Sequence, residues 1–226
     1  MIVTPLLPTA APGRGSLSGL RVAIDVQHAY QPAKPNDRGT MYMLPGGQHV
    51  YESQAATVYA AAAAEHMTTR GAVVYTNDPT RGILVGPYWD RNRWANRVPV
   101  HAYLACHVNA GGGDYFLAEY MLGEPGPALG GAIGNSVTAV FPELRGARMN
   151  PLVRGMRGAV CIEAVQSPSV AVLLEPFFGD RARLQFMLSN ESLVRLGQAI
   201  GGGIEAWWGR SSMRVSSAMR GGAALS

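Results

Sequence analysis

The sequence predicts an α/β domain built on a mostly parallel sheet of about six strands, with helices flanking both faces. Three observations carry that prediction. Short runs such as LRVAIDV and VAVLL are apolar almost throughout. They lack the alternation of a sheet with one wet face and so suit strands buried on both sides. These runs alternate along the chain with longer stretches of helical spacing, the order that layers crossover helices on parallel strands. No internal repeat recurs at a fixed period, which argues against a solenoid.

Taken in order, residues 1–19 are rich in proline, glycine and serine and are expected as a flexible leader. The first strand is 20–26, with His28 just beyond its carboxyl end. Residues 31–48 hold three prolines and three glycines and read as a long functional loop. An alanine-rich helix follows over 52–70, closed by Gly71. Its first residue, Glu52, lies where the helix dipole favours a carboxylate in any case. A short strand at 72–76, a loop at 77–87 and a helix at 88–97 lead to the strand 102–110, which delivers His107 ahead of a triple glycine, 111–113. Residues 114–121 carry Tyr115, Phe116 and Tyr120 and favour a strand. Leu129, Ile133 and Val137 give 127–144 a helical apolar face. An irregular arginine-bearing segment, 145–157, precedes a strand at 158–164, and the apolar strand 170–174 ends in Glu175. The last helix, 191–208, is weakened by glycines 201–203, and 209–226 is expected as a flexible or loosely docked tail. A single domain, 20–208, is the result.

Bulk properties narrow the function classes. A chain of 226 residues, 47% hydrophobic and 15% charged, supports one sizeable core. Its net charge of +4 favours an anionic polymer, either cell wall or nucleic acid, without choosing between them. The only cysteines, Cys106 and Cys161, are too few for a disulfide framework or a four-thiolate zinc site and are expected as buried free thiols. The N-terminus lacks a basic region and is broken by Pro5, Pro8 and Pro12, so it does not read as a signal peptide. No run reaches the roughly 18 apolar residues of a membrane span. The expectation is synthesis in the cytoplasm, with another route needed for action outside. Neither a G-x-S-x-G elbow nor a P-loop is present, which removes support for serine hydrolase and nucleotide-binding readings.

The polar residues at strand ends suggest chemistry. A hydrolytic zinc ion takes three nitrogen or oxygen ligands and keeps one position for water, whose pKa it lowers. His28, Glu52 and His107 supply that set, and Glu175, followed by Pro176, Phe177 and Phe178, is an acid in an apolar setting that raises its pKa toward a value useful for proton transfer. His49 competes as a ligand but reads as an exposed loop residue, and His66 and His101 read as structural. Cys106 and His107 are neighbours on a strand and so face opposite sides, which argues against a thiol–imidazole dyad between them. Tyr30, Tyr88, Trp89 and Trp94 are candidates for a binding platform, and Arg145, Arg148, Arg154 and Arg157 for carboxylate contacts.

The segments VAIDVQH, YES, DRNRWAN, LACHVNA and VAVLLEPFF, in this order, resemble the zinc-dependent N-acetylmuramoyl-L-alanine amidases of the type called amidase 3, over residues 20–208. The resemblance implies a twisted sheet flanked by helices and hydrolysis of the amide between N-acetylmuramic acid and L-alanine in peptidoglycan. It places zinc (Zn2+) on His28, Glu52 and His107 and the catalytic carboxylate on Glu175. Arg91 with the Ala95–Asn96 pair matches residues that support the site, and Arg91, Asn96 and Asn109 are candidates for supporting or substrate contacts. The chain departs from the pattern around His28, where glycines are usual and Gln27, Ala29 and Tyr30 stand instead, and after Glu175, where Pro-Phe-Phe-Gly replaces a Gly-Phe turn. The expected protein is a peptidoglycan-degrading zinc amidase, with a phage endolysin as the fitting context, no nucleic-acid partner and no membrane insertion. Two alternatives remain open: a non-catalytic glycopeptide-binding module, and a zinc peptidase cutting within the stem.

Overall fold

The structure, a computed structural model, describes residues 15–29 and 31–221, with side chains as far as residue 210. Its elements in chain order are β1 (Arg21–Val26), β2 (Met41–Met43), β3 (His49–Tyr51), α1 (Glu52–Thr68), β4 (Val73–Thr76), α2 (Tyr88–Arg97), β5 (Ala102–Cys106), β6 (Phe116–Met121), α3 (Gly126–Val140), β7 (Ala147–Leu152), β8 (Val170–Glu175) and α4 (Asn190–Gly221). Two 3-10 turns, Ala159–Cys161 and Ala182–Leu188, flank β8. Six strands form one sheet in the order β4-β1-β5-β8-β6-β7, and β2 and β3 pair separately. Every neighbouring pair in the large sheet is parallel except β6 with β8. The predicted class, a mostly parallel α/β sheet with helices around it, is the class observed.

The central strands are the apolar runs, and the alternation of their side chains divides the interior in two. On one face Val22, Ile24, Leu104 and Val172 meet Tyr59 and Met67 of α1, Ile133 and Val137 of α3, and Leu196 and Ile200 of α4. On the other face Ala23, Tyr103, Ala105 and Leu173 meet Ala95 of α2 and Ala159, Cys161 and Ile162 of the first 3-10 turn. Asp25 shares the parity of Ala23 and is carried into this second, thinner layer.

The glycines of α4 act differently from expectation. A Cβ on Gly197 would collide with the Tyr59 carbonyl oxygen, and one on Gly203 with the Ile133 backbone. Their absence of side chain therefore sets how closely α4 approaches both α1 and α3. The helix itself continues to Gly221, past the predicted end at 208.

Two predicted elements are corrected. Residues 158–164 form no strand but the turn Ala159–Cys161, entered through Gly158 at φ 89°. Ala159, Cys161 and Ile162 of that run are buried in the layer that holds Ala95 of α2, so burial without pairing imitated a strand. The sixth strand is β7, inside the segment read as irregular. It lies at the sheet edge with a mixed burial pattern and contains Pro151, which an edge tolerates because one side of its backbone is unpaired. The 31–48 loop also contains β2 and the turn of a hairpin that continues into β3, made through Gly46 and Gly47 at φ 87° and 80°. Among the described residues, no helix is long and apolar enough to cross a membrane.

Candidate metal centre and active site

Parallel strands bring their carboxyl ends to one edge of the sheet, where α/β proteins place their sites. β1, β5 and β8 are consecutive neighbours there and deliver His28, His107 and Glu175. Cys106 pairs with Leu174, and the His107 backbone N–H donates to the Leu174 carbonyl at 2.9 Å. Glu175 therefore follows alongside His107. Below this turn the Tyr59 hydroxyl donates to the His107 carbonyl and the Tyr42 hydroxyl to the Val108 carbonyl, both at 2.7 Å.

Glu52 enters from the first turn of α1. Its backbone N–H donates to the Thr40 carbonyl at 2.8 Å, while its Oε2 accepts the Thr40 N–H at 3.0 Å. Gly39 (φ 69°) is required beside it, since a Cβ would run into the Glu52 carboxylate. The other oxygen, Oε1, lies 2.8 Å from His107 Nδ1 and 3.7 Å from His28 Nε2. One ligand atom from each of the three residues lies within 4.8 Å of the others. Burial pushes the Glu52 pKa up, but the His107 hydrogen bond, the charges of His107 and His28 and the Thr40 N–H outweigh it, and the carboxyl titrates below its ordinary value. Two imidazoles and an ionised carboxylate are the donor set of a hydrolytic zinc site, so these residues fit the ion the resemblance implies.

His28 stands in the left-handed region, at φ 56°. Its Nδ1 lies 2.8 Å from Asp37 Oδ1, which leaves Nε2 toward Glu52. Burial raises the Asp37 pKa, yet the hydrogen bond from His28 and the Gly39 N–H bring it below the ordinary carboxyl value. Arg91, wholly buried, spans the His28 turn: it donates to the carbonyls of Val26, at 3.1 Å, and Ala29, and pairs with Asp25 at 2.8 Å. Asp25 in turn accepts from Asn77, Tyr103 and Gln27. Arg91 thus holds the His28 turn from beneath it.

Glu175 is half-buried, and its pKa rises to about 7. Desolvation is the main cause, with the charges of Glu119 and Glu52 adding to it and Arg157 opposing it. Phe177 and Phe178 beside it are buried. Asn96 lies away from the three ligands and ties the 164–166 loop, donating to Ala164 at 2.6 Å and accepting from Gln166 at 2.9 Å. Asn109 forms a bridge with Phe178, and its Oδ1 accepts the Ala110 N–H at 2.7 Å. Gly111 and Gly112 donate their N–H groups to the Asp180 carboxylate, and a Cβ on Gly113 would strike the Phe178 ring. The triple glycine therefore folds this loop onto the segment after Glu175.

Other candidates separate. His49 is exposed on β3, 5.4 Å from the Tyr51 ring, while His66 reaches Glu205 at 3.5 Å and His101 accepts the Arg21 N–H at 3.0 Å. Tyr88 packs edge-on to His28 at 6.3 Å, Trp94 against Tyr75 at 5.2 Å, and Trp89 is exposed. Tyr30 lies outside the described residues. Arg148 stacks over Tyr115 at 3.6 Å, and Arg145 pairs with Asp114 at 3.2 Å. Cys106 is buried in the core, as expected, and the thiol that meets His107 is Cys161, its Sγ 3.7 Å from Nε2. Asp37, Cys161 and the Asp25 network were missed by sequence reasoning. The one available signal was Asp25 itself, a charged residue inside an apolar strand. Beside His28 opens a cavity of about 460 Å³, rimmed by Gln31, Lys34, Arg38, Gln54 and Thr57.

No protein-family model and no curated protein sequence matches the chain. Solved structures do match its fold. The N-acetylmuramoyl-L-alanine amidase AmiC2 of Nostoc punctiforme superposes with a TM-score of 0.65 at 19% identity, covering 87% of this chain and 99% of that one. The N-acetylmuramyl-L-alanine amidase Ami1 from Mycobacterium smegmatis gives 0.66 at 16% identity, covering 85% and 98%. The catalytic domain of the CD27L endolysin, which targets Clostridia difficile, gives 0.53 at 18% identity, covering 82% and 96%. The chain has the fold of the N-acetylmuramoyl-L-alanine amidases, with His28, Glu52 and His107 gathered at the carboxyl edge of its sheet.

Proposed function

We propose that the chain is a zinc-dependent amidase that hydrolyses the bond between the lactyl group of N-acetylmuramic acid and L-alanine in peptidoglycan. The observation that carries this reading is the convergence of His28, Glu52 and His107 within 4.8 Å. His28 through Nε2, Glu52 through Oε1 and His107 through Nδ1 would hold the ion. When bound, zinc supplies Lewis acidity and a lowered water pKa. Glu175, in its ionised form, takes a proton from the water that attacks the amide carbonyl and returns it to the departing amine. Burial, which raises its pKa, suits it to both transfers. Asp37 orients His28, Arg91 holds the turn that carries it, and the buried rings of Phe177 and Phe178 limit water around Glu175. Asn96 and Asn109 shape the flanking loops.

The test is digestion of purified cell wall, followed by mass spectrometry of the fragments. Release of free L-alanine amino termini, abolished by chelator and restored by zinc, is the expected result. Cuts inside the stem would assign a zinc peptidase instead. No turnover with metal bound, and wall binding unchanged in Glu175→Ala, would assign a glycopeptide-binding module. The similarity to an endolysin catalytic domain supports phage-driven lysis as the biological setting.

A further inference from the structure

His107 has a partner on each ring nitrogen. Nδ1 lies 2.8 Å from Glu52 Oε1, and Nε2 lies 3.7 Å from Cys161 Sγ. The two nitrogens of an imidazole point away from each other, so a group facing Nε2 does not share an ion held by Nδ1. Cys161 is accordingly outside the cluster formed by His28, Glu52 and His107. A neutral imidazole carries one N–H and one bare nitrogen, and the partner of the first decides which nitrogen is free to ligate. His28 shows the usual arrangement, with the Asp37 carboxylate on Nδ1.

The sulfur is held in place by the turn that carries it. Cys161 is 4% exposed, and its backbone N–H donates to the Gly158 carbonyl at 3.0 Å. The next turn bond runs from the Ile162 N–H to the Ala159 carbonyl at 2.9 Å. Asn92 of α2, itself buried, donates to the Val160 carbonyl at 3.0 Å and so fixes the turn to the helix above it. This is the segment whose apolar pattern imitated a strand.

We propose that Cys161 is the positioning residue of His107: when an ion takes Nδ1 in place of the proton shared with Glu52, the neutral ring carries its proton on Nε2, and the Cys161 sulfur is the acceptor that lies against it. This rests on the metal centre proposed above. The two histidines are then oriented by unlike partners, a carboxylate on His28 and a thiol on His107. Sulfur is the weaker acceptor of the two.

The experiment measures zinc affinity of the full chain by competition with a chromogenic chelator, for the unmodified protein and for Cys161→Ser, Cys161→Ala and Cys161→Val. Circular dichroism confirms folding of each. Serine keeps an acceptor, alanine removes it, and valine removes it while filling the space. The expected result is serine near the unmodified value, with alanine and valine both weaker by about tenfold or more. Cobalt loaded into the unmodified protein is expected to show no sulfur-to-metal charge-transfer band. Valine binding as tightly as serine would reduce the role of Cys161 to space filling, and a charge-transfer band would make it a ligand; either overturns the proposal. Failure of the unmodified protein to bind metal would overturn the metal centre and this inference together, an outcome distinct from the other two.

Discussion

Glu175→Gln should stabilise the protein at alkaline pH while removing its activity. The folded-state pKa of Glu175 is about 7 against an ordinary 4.5, so the folded chain holds its proton more tightly than the unfolded chain does. Stability from this group is fully present below 4.5 and is lost as pH rises through 7. At 1.36 kcal/mol per tenfold, that displacement corresponds to about 3 kcal/mol, and residual exposure reduces the expected share to ~1–2 kcal/mol. Glutamine keeps the shape without the charge and escapes the loss. The advantage of the variant should therefore grow between about pH 5 and pH 8 and then level off, reaching a Tm higher by several degrees, at roughly 2–4 °C per kcal/mol for a chain this size. Melting curves of both proteins, stripped of metal so that no bound cation favours the carboxylate, measure it directly. Taking the difference between variant and parent cancels the opposite pH dependence of Glu52 and Asp37. The same substitution should lower turnover by about 10²–10⁴, and the parent rate should rise with pH as Glu175 ionises, on a limb no higher than about 7 because a bound cation favours the carboxylate. A stability difference that is flat, or that shrinks as pH rises, would refute the reasoning.

Three further outcomes are expected. Arg91→Met leaves Asp25 buried without its cation and should cost about 3–5 kcal/mol in urea denaturation; a loss below about 1 kcal/mol would show that Asn77, Tyr103 and Gln27 suffice. Asp37→Ala should weaken zinc binding by about 10–100-fold with the circular dichroism spectrum unchanged, and unaltered affinity would remove Asp37 from the site. Gly197→Ala drives a Cβ into the Tyr59 carbonyl and should cost about 1–3 kcal/mol, visible as a lower Tm.

The legible parts of this protein are those whose cause is local. β1, β5 and β8 are buried on both faces, so an apolar run with a polar residue after it was enough to place each strand and to mark His28, His107 and Glu175 at their ends. Glu52 was legible as the first residue of an alanine-rich helix. What escaped depends on contacts distant in the chain. β7 is an edge strand that keeps polar residues and a proline, whereas the Ala159–Cys161 segment is buried by α2 rather than by strand pairing. Cys161 reaches His107 across 54 positions, and Arg91 reaches Asp25 across 66. Neither distance leaves a periodic trace. Asp37 is only 9 positions from His28, but it lies in a loop whose course no periodicity describes.

The departure from the family pattern around His28 has a physical counterpart beneath the site. A non-glycine residue in the left-handed region costs roughly 1–2 kcal/mol, and His28 occupies it at φ 56°. Glycines would relax a turn of this kind; here the guanidinium of Arg91 binds the carbonyls on both sides of it, at Val26 and Ala29. Arg91 can be buried there because Asp25 neutralises it, and Asp25 can be buried because Asn77, Tyr103 and Gln27 satisfy its remaining oxygen positions. The conformation of His28 thus depends on a polar network in the thin layer under the sheet. Removing the Tyr103 hydroxyl, one strand away from β1, should loosen His28 before it loosens the sheet, because the sheet keeps its backbone pairing while the network loses an acceptor's partner.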